Sequence, residues 1–137
     1  MTDPAPAVRE LRVALTVADV DRSLALYRDA LGMRQLDAWE SENGRVVILE
    51  AGRATLELLD QRHADAVDAI EVGRARVGGR VRLALEVEDS VAAAERLIEA
   101  GAGRVGGPVE TPWRHRNVRV AAPDGMQLTL FTVLDEG

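Results

Sequence analysis

Cysteine and lysine are both missing from the 137-residue chain, and only Tyr27, Trp39, Trp113 and Phe131 are aromatic. Without cysteine there is no disulfide framework and no thiolate to attack a substrate or ligate a metal. No apolar run approaches the ~20 residues that cross a bilayer, so no membrane partner is expected. The basic stripe of a phosphate-backbone binder is also missing: 17 basic residues face 23 acidic ones, for a net charge of -6. Nucleic acid is therefore not an expected partner. The opening MTDPAPAVRE shows no basic region followed by an apolar segment, so a cytoplasmic location is expected. There is no phosphate loop, no nucleophile elbow and no zinc-ligand spacing. That every basic residue is arginine is read as background composition.

What the chain does have is 47% hydrophobic and 29% charged residues, the balance of a single globular domain. It also repeats itself. LRVALTV at residues 11 to 17 returns as VRLALEV at 81 to 87, each with arginine in second place. After the first copy, Asp19 caps an amphipathic run of Val20, Leu24, Tyr27 and Leu31, and Gly32 stops it. After the second, Asp89 caps Val91, Ala94, Leu97 and Ile98, and Gly101 stops it. Short β-type runs follow: 33 to 40, 45 to 50 and 54 to 60 in the first half, and 104 to 111, 117 to 122 and 126 to 133 in the second. Asn43-Gly44 and Pro123-Asp124-Gly125 supply turns. The reading is α+β, with two tandem βαβββ modules over 8 to 60 and 80 to 134. The polar segment 61 to 79 is read as a linker with at most a short helix.

One helix cannot cover both faces of a module's sheet. If it packs against Val13, Leu15 and Val17, the face carrying Arg12, Ala14 and Thr16 needs another cover. The second module is the natural one, giving a cup-shaped pseudo-twofold sheet with helices outside. Arg82, Ala84 and Glu86 then line the other side. By the same alternation Glu57 and Thr129 point inward, and Leu56, Leu58, Leu128 and Leu130 point to the helices.

LRVALTVADVDRSLALYRDALGM, VRLALEVED and APDGMQLTLF together resemble the vicinal oxygen chelate superfamily, which includes glyoxalase I, extradiol dioxygenases and bleomycin resistance proteins. The resemblance implies the cup and, in the enzymes, a divalent metal held from the first and last strands of each module. Those four positions fall on Arg12, Glu57, Arg82 and Thr129. Only Glu57 is a plausible ligand, because arginine stays protonated and has no lone pair to give. Like unit charges 4 Å apart repel by ~4 kcal/mol at an effective dielectric of 20. No metal and no cofactor is expected. Structurally, Arg12 would pair with Glu57; functionally, Arg12 and Arg82 would grip an anionic or oxygen-rich ligand by forked contacts.

TPWRHRNVRVAAPDG, residues 111 to 125, resembles the Pro-Trp to Pro-Asp-Gly segment of bleomycin resistance proteins, although Arg114 stands where glycine often follows the tryptophan. Trp113 and Trp39 fall at comparable places in the two modules and suit the stacking of planar ligands. Asn117 and Arg119 add polar groups to the inner face. His63 and His115 read as surface histidines. The reading favoured is metal-free binding and sequestration of an aromatic or polycyclic small molecule such as an antibiotic. Its ligand contacts are Trp113, Arg82, Arg12, Glu57, Trp39, Glu86, Asn117, Arg119 and Thr129, and the resemblance implies a homodimer. The alternative is a metal-independent isomerase, cyclase or lyase with Glu57 as base; the first reading has no catalytic residue.

Overall fold

In a computed structural model of the chain, the structure describes residues 9–10, 12–54, 57, 59–75 and 77–134. The second copy of the repeat folds as a full strand–helix–three-strand unit. β3 (Leu83–Glu86), α3 (Ser90–Glu99), β4 (Gly103–Glu110), β5 (His115–Ala121) and β6 (Gln127–Val133) follow one another. The sheet order is β3-β6-β5-β4, with β3 parallel to β6 and the other pairs antiparallel. The parallel pair follows from the α3 crossover, which returns the chain to the same end of the sheet. The fold is α+β, as expected.

In the first copy, helix α1 (Val20–Leu24) runs on into a π-helical turn over Ala25–Ala30, and β1 (Gln35–Ser41) pairs with β2 (Gly44–Leu49) in an antiparallel hairpin. Residues 12 to 17 belong to neither sheet. The expected last strand, 54 to 60, includes 55, 56 and 58, so Leu56 and Leu58 lie outside the described residues. Val13, expected against the helix, is 51% exposed, whereas Leu15 does pack on the core.

The caps explain the helix limits. Asp19 accepts from the backbone N–H of Arg22, and Asp89 from that of Ala92. Gly32 and Gly101 follow at φ 92° and 112°, left-handed conformations that glycine adopts without strain. The core lies between α3, the α1 segment and one sheet face. Leu26, Tyr27, Ala94 and Leu97 meet Val118, Val120, Leu128 and Leu130, so the alternation expected for β6 holds. Tyr27 also donates to Asp124 in the Pro-Asp-Gly turn, and burial, with the Asp124 carboxylate, pushes its hydroxyl pKa up.

The linker departs from expectation. Residues 61 to 72 form a three-turn helix, α2 (Gln61–Val72), capped by Asp60, which accepts from His63 N, and ended by Gly73 at φ 90°. Its buried residues include Asp68 and Glu71. The sequence looks solvent-facing because the face turned to the protein is itself charged.

Candidate functional site

The inner face of the second sheet, opposite α3, is built in rows. Pairing sets Ala84, Thr129 and Arg119 in one row and Glu86, Phe131 and Asn117 in the next, with His115 opposite Val133 beyond. Helix α2 covers part of this face. Close approach is possible because Gly106 on β4 has no side chain: a Cβ there would collide with the Glu71 carbonyl and lie 2.8 Å from Val72 Cα.

Arg119 is the largest fully buried side chain among the described residues. Its Nη1 donates to Asp68 Oδ1 at 2.6 Å and to Gln127 Oε1 at 3.2 Å, while Nε and Nη2 donate to Glu71 Oε1 at 3.2 and 2.9 Å. Glu71 Oε1 also accepts from Thr129 Oγ1 at 2.8 Å, and Glu71 Oε2 from Asn117 Nδ2 at 3.0 Å. Thr129 Oγ1 in turn accepts from Arg82 Nη1 at 2.8 Å. Asp68 is held further by backbone N–H donors, Val77 at 2.9 Å and Gly78 at 3.0 Å. Burial pushes the Asp68 carboxyl pKa up, but the Gly78 and Val77 N–H groups and the Arg119 guanidinium outweigh it and hold the group below the usual carboxylate range. Arg119 is thus set against two anions, Asp68 and Glu71, with Arg82 one hydroxyl further out.

The expected site residues divide into two groups. Arg82, Asn117, Arg119 and Thr129 come together, but Asn117, Arg119 and Thr129 donate to α2 rather than to open space, and Arg82 donates to Thr129. Arg12 does not pair with Glu57; it donates to Glu10 at 3.0 Å, both side chains being exposed, and Glu57 is exposed as well. Glu86 is exposed, as are Trp39 on β1 and Trp113 in the turn before β5, at 52% and 42%. His115 is not a loop residue: it opens β5 and stacks on Phe131, with ring centroids 4.9 Å apart and planes 13° from parallel. Ala14 and Thr16, expected on the inner face, line an open cleft of about 360 Å³ with Gly79, Val81 and Gln127.

Asp68 and Glu71 were missed from sequence. The available signal was a pair of acids three residues apart in a segment next to an inward-facing Arg119, since a buried guanidinium needs carboxylate partners.

The four positions at which the resemblance would place metal ligands do not fit a divalent cation. Two are guanidinium groups, and the Thr129 hydroxyl is occupied by Arg82 and Glu71.

Several solved structures share this fold. TnmS3, an antibiotic binding protein from Streptomyces sp. CB03234, is 21% identical, with a TM-score of 0.62 over 95% of this chain and all (100%) of that one. A member of the glyoxalase/bleomycin resistance protein/dioxygenase superfamily from Sphaerobacter thermophilus is 25% identical, with a TM-score of 0.55 over 85% of this chain and 90% of that one. The hypothetical protein SA1046 from S. aureus is 18% identical, with a TM-score of 0.62 over 93% and 95%. No curated protein matches the sequence. The family model for the Glyoxalase/Bleomycin resistance protein/Dioxygenase superfamily matches residues 11–130, from the first copy of the repeat to the last strand of the second, and the chain belongs to that superfamily.

Proposed function

We propose that the protein binds a planar aromatic or polycyclic small molecule without a metal and sequesters it, in the manner of the bleomycin-resistance members of its superfamily. The observation that carries the proposal is the Arg82–Thr129 hydrogen bond of 2.8 Å. It closes both second-module metal positions with a cation and a hydroxyl, which removes the Lewis-acid centre and leaves binding groups. The open remainder of the inner face offers the His115–Phe131 stack, the exposed Glu86 and, in the adjoining turn, the half-exposed Trp113. Flat aromatic surfaces with few polar groups suit a planar ligand. The antibiotic-binding TnmS3 supports this choice of ligand class.

A second copy of the chain completes each cup in this proposal. The β1–β2 hairpin supports it, for Leu36, Trp39 and Val46 all stand exposed there.

Titration with planar DNA-damaging antibiotics, followed by tryptophan fluorescence, tests the proposal. Saturable quenching is expected, equal before and after chelator treatment, and lost on Trp113→Ala. Quenching by no planar ligand, or quenching abolished by the chelator, sinks it.

A further inference from the structure

We infer that α2 is a tethered surrogate for a ligand bearing two acidic groups, and that the inner face beneath it is the binding site for such a dianion. This rests on the reading of the chain as a small-molecule binder and adds the chemistry that its covered half selects. Arg119, Asn117 and Thr129 donate to two carboxylates of the chain's own linker, while Arg82 stands behind them as donor to the Thr129 hydroxyl and Gln127 holds the Val77 carbonyl. Asp68 and Glu71 lie three residues apart on α2, which sets their Cβ atoms roughly 5–6 Å apart. A small molecule with two acidic groups at similar spacing meets the same donors.

Three observations distinguish α2 from an ordinary packed helix. Val67 is the one buried apolar side chain of α2, and no α2 residue belongs to the main apolar cluster formed by α3, the α1 segment and the sheet. Beyond Val67 the helix is docked through charge and hydrogen bonds, and buried ion pairs come close to break-even against alternatives of equal geometry. A soluble dianion that offers the same contacts therefore competes with it.

The fit of the surrogate is also incomplete. Asn117 is 4% exposed and its Nδ2 is committed to Glu71, yet its Oδ1 is buried with no donor among the described residues. Buried acceptors are nearly always paired. A ligand that carries an N–H or O–H beside its acidic groups supplies the missing donor.

Finally, α2 lies between chain segments that can pivot. Asp60 precedes it in extended conformation, Gly73 follows at φ 90°, and Gly78 and Gly79 come just before the second copy of the repeat. The helix can leave the face without unravelling the sheet.

Hydrogen–deuterium exchange of the full chain tests this, with isophthalate as the dianionic probe and benzoate as the single-charge control. Saturating isophthalate is expected to speed exchange across residues 62 to 72 while β5 and β6 stay protected; benzoate is expected to leave α2 unchanged. The double variant Asp68→Asn/Glu71→Gln, freed of its tethered competitor, is expected to bind isophthalate more tightly than the parent by on the order of tenfold. Exchange in α2 unaffected by isophthalate overturns the inference, as does a folded double variant that binds no tighter. If the double variant does not fold, the parent-chain exchange decides alone. Tryptophan quenching by an uncharged planar antibiotic with no isophthalate effect on α2 sinks the dianion site and leaves the proposed function standing. The opposite result sinks the aromatic-ligand reading and keeps the dianion site.

Discussion

Arg119 is the largest fully buried side chain described and binds both buried carboxylates, and its removal is correspondingly expensive. Substituting leucine strands Asp68 and Glu71 as buried carboxylates without their cation. Breaking a buried pair from one side costs about 3–5 kcal/mol. We expect Arg119→Leu to lower the urea midpoint by that equivalent; a shift below about 1 kcal/mol would mean that solvent reaches the carboxylates. Asp68 supplies a pH signature. Its pKa is lowered in the folded chain, so its contribution is full above the ordinary value of 3.8 and is lost as pH falls from there through the folded value. Acid unfolding should therefore begin below about pH 4, and Asp68→Asn, less stable at neutral pH, should flatten that limb. An identical acid limb in the variant would assign the transition to other carboxylates.

The helices and strands show which parts of the sequence could be read and which could not. Asp19 and Asp89 mark helix starts because a capping carboxylate leaves a local signal, and both cap in the structure. Leu128 and Leu130 alternate with Thr129 because a strand with one apolar face must, and the structure keeps that alternation. Helix α2 defeated the same logic. Its inward face carries Asp68 and Glu71, so polarity pointed to solvent where partners on β5 and β6 supplied the reason for burial. Residues 12 to 17 show the converse: strong strand alternation, yet no place in either sheet. Pairing depends on a neighbouring edge, which a single strand's pattern does not encode. The docking of α2 yields its own prediction. Gly106→Ala drives a methyl into the Glu71 carbonyl and Val72 Cα, and overpacking of this sort costs about 1–3 kcal/mol. Amide exchange should rise first in residues 62 to 72 and only later in β5; a uniform rise across the chain would show that α2 is not a separate unit.

At the scale of the whole molecule, the expectation is a homodimer. Sedimentation velocity should give twice the chain mass of 14.8 kDa, and a species that stays at the single-chain mass at high concentration would remove the second copy from the proposed cup. The neutrality of the polar cluster bears on that association. Arg119 pairs with Asp68 and Glu71, Arg82 adjoins them through Thr129, and the four charges sum to zero, so the chain's net charge of -6 is carried by its other residues, most of them in contact with water. Two copies approach each other as like-charged bodies whose repulsion is screened over about 8 Å at physiological ionic strength. Added salt should therefore strengthen self-association, the reverse of what an assembly joined by ion pairs between chains would do.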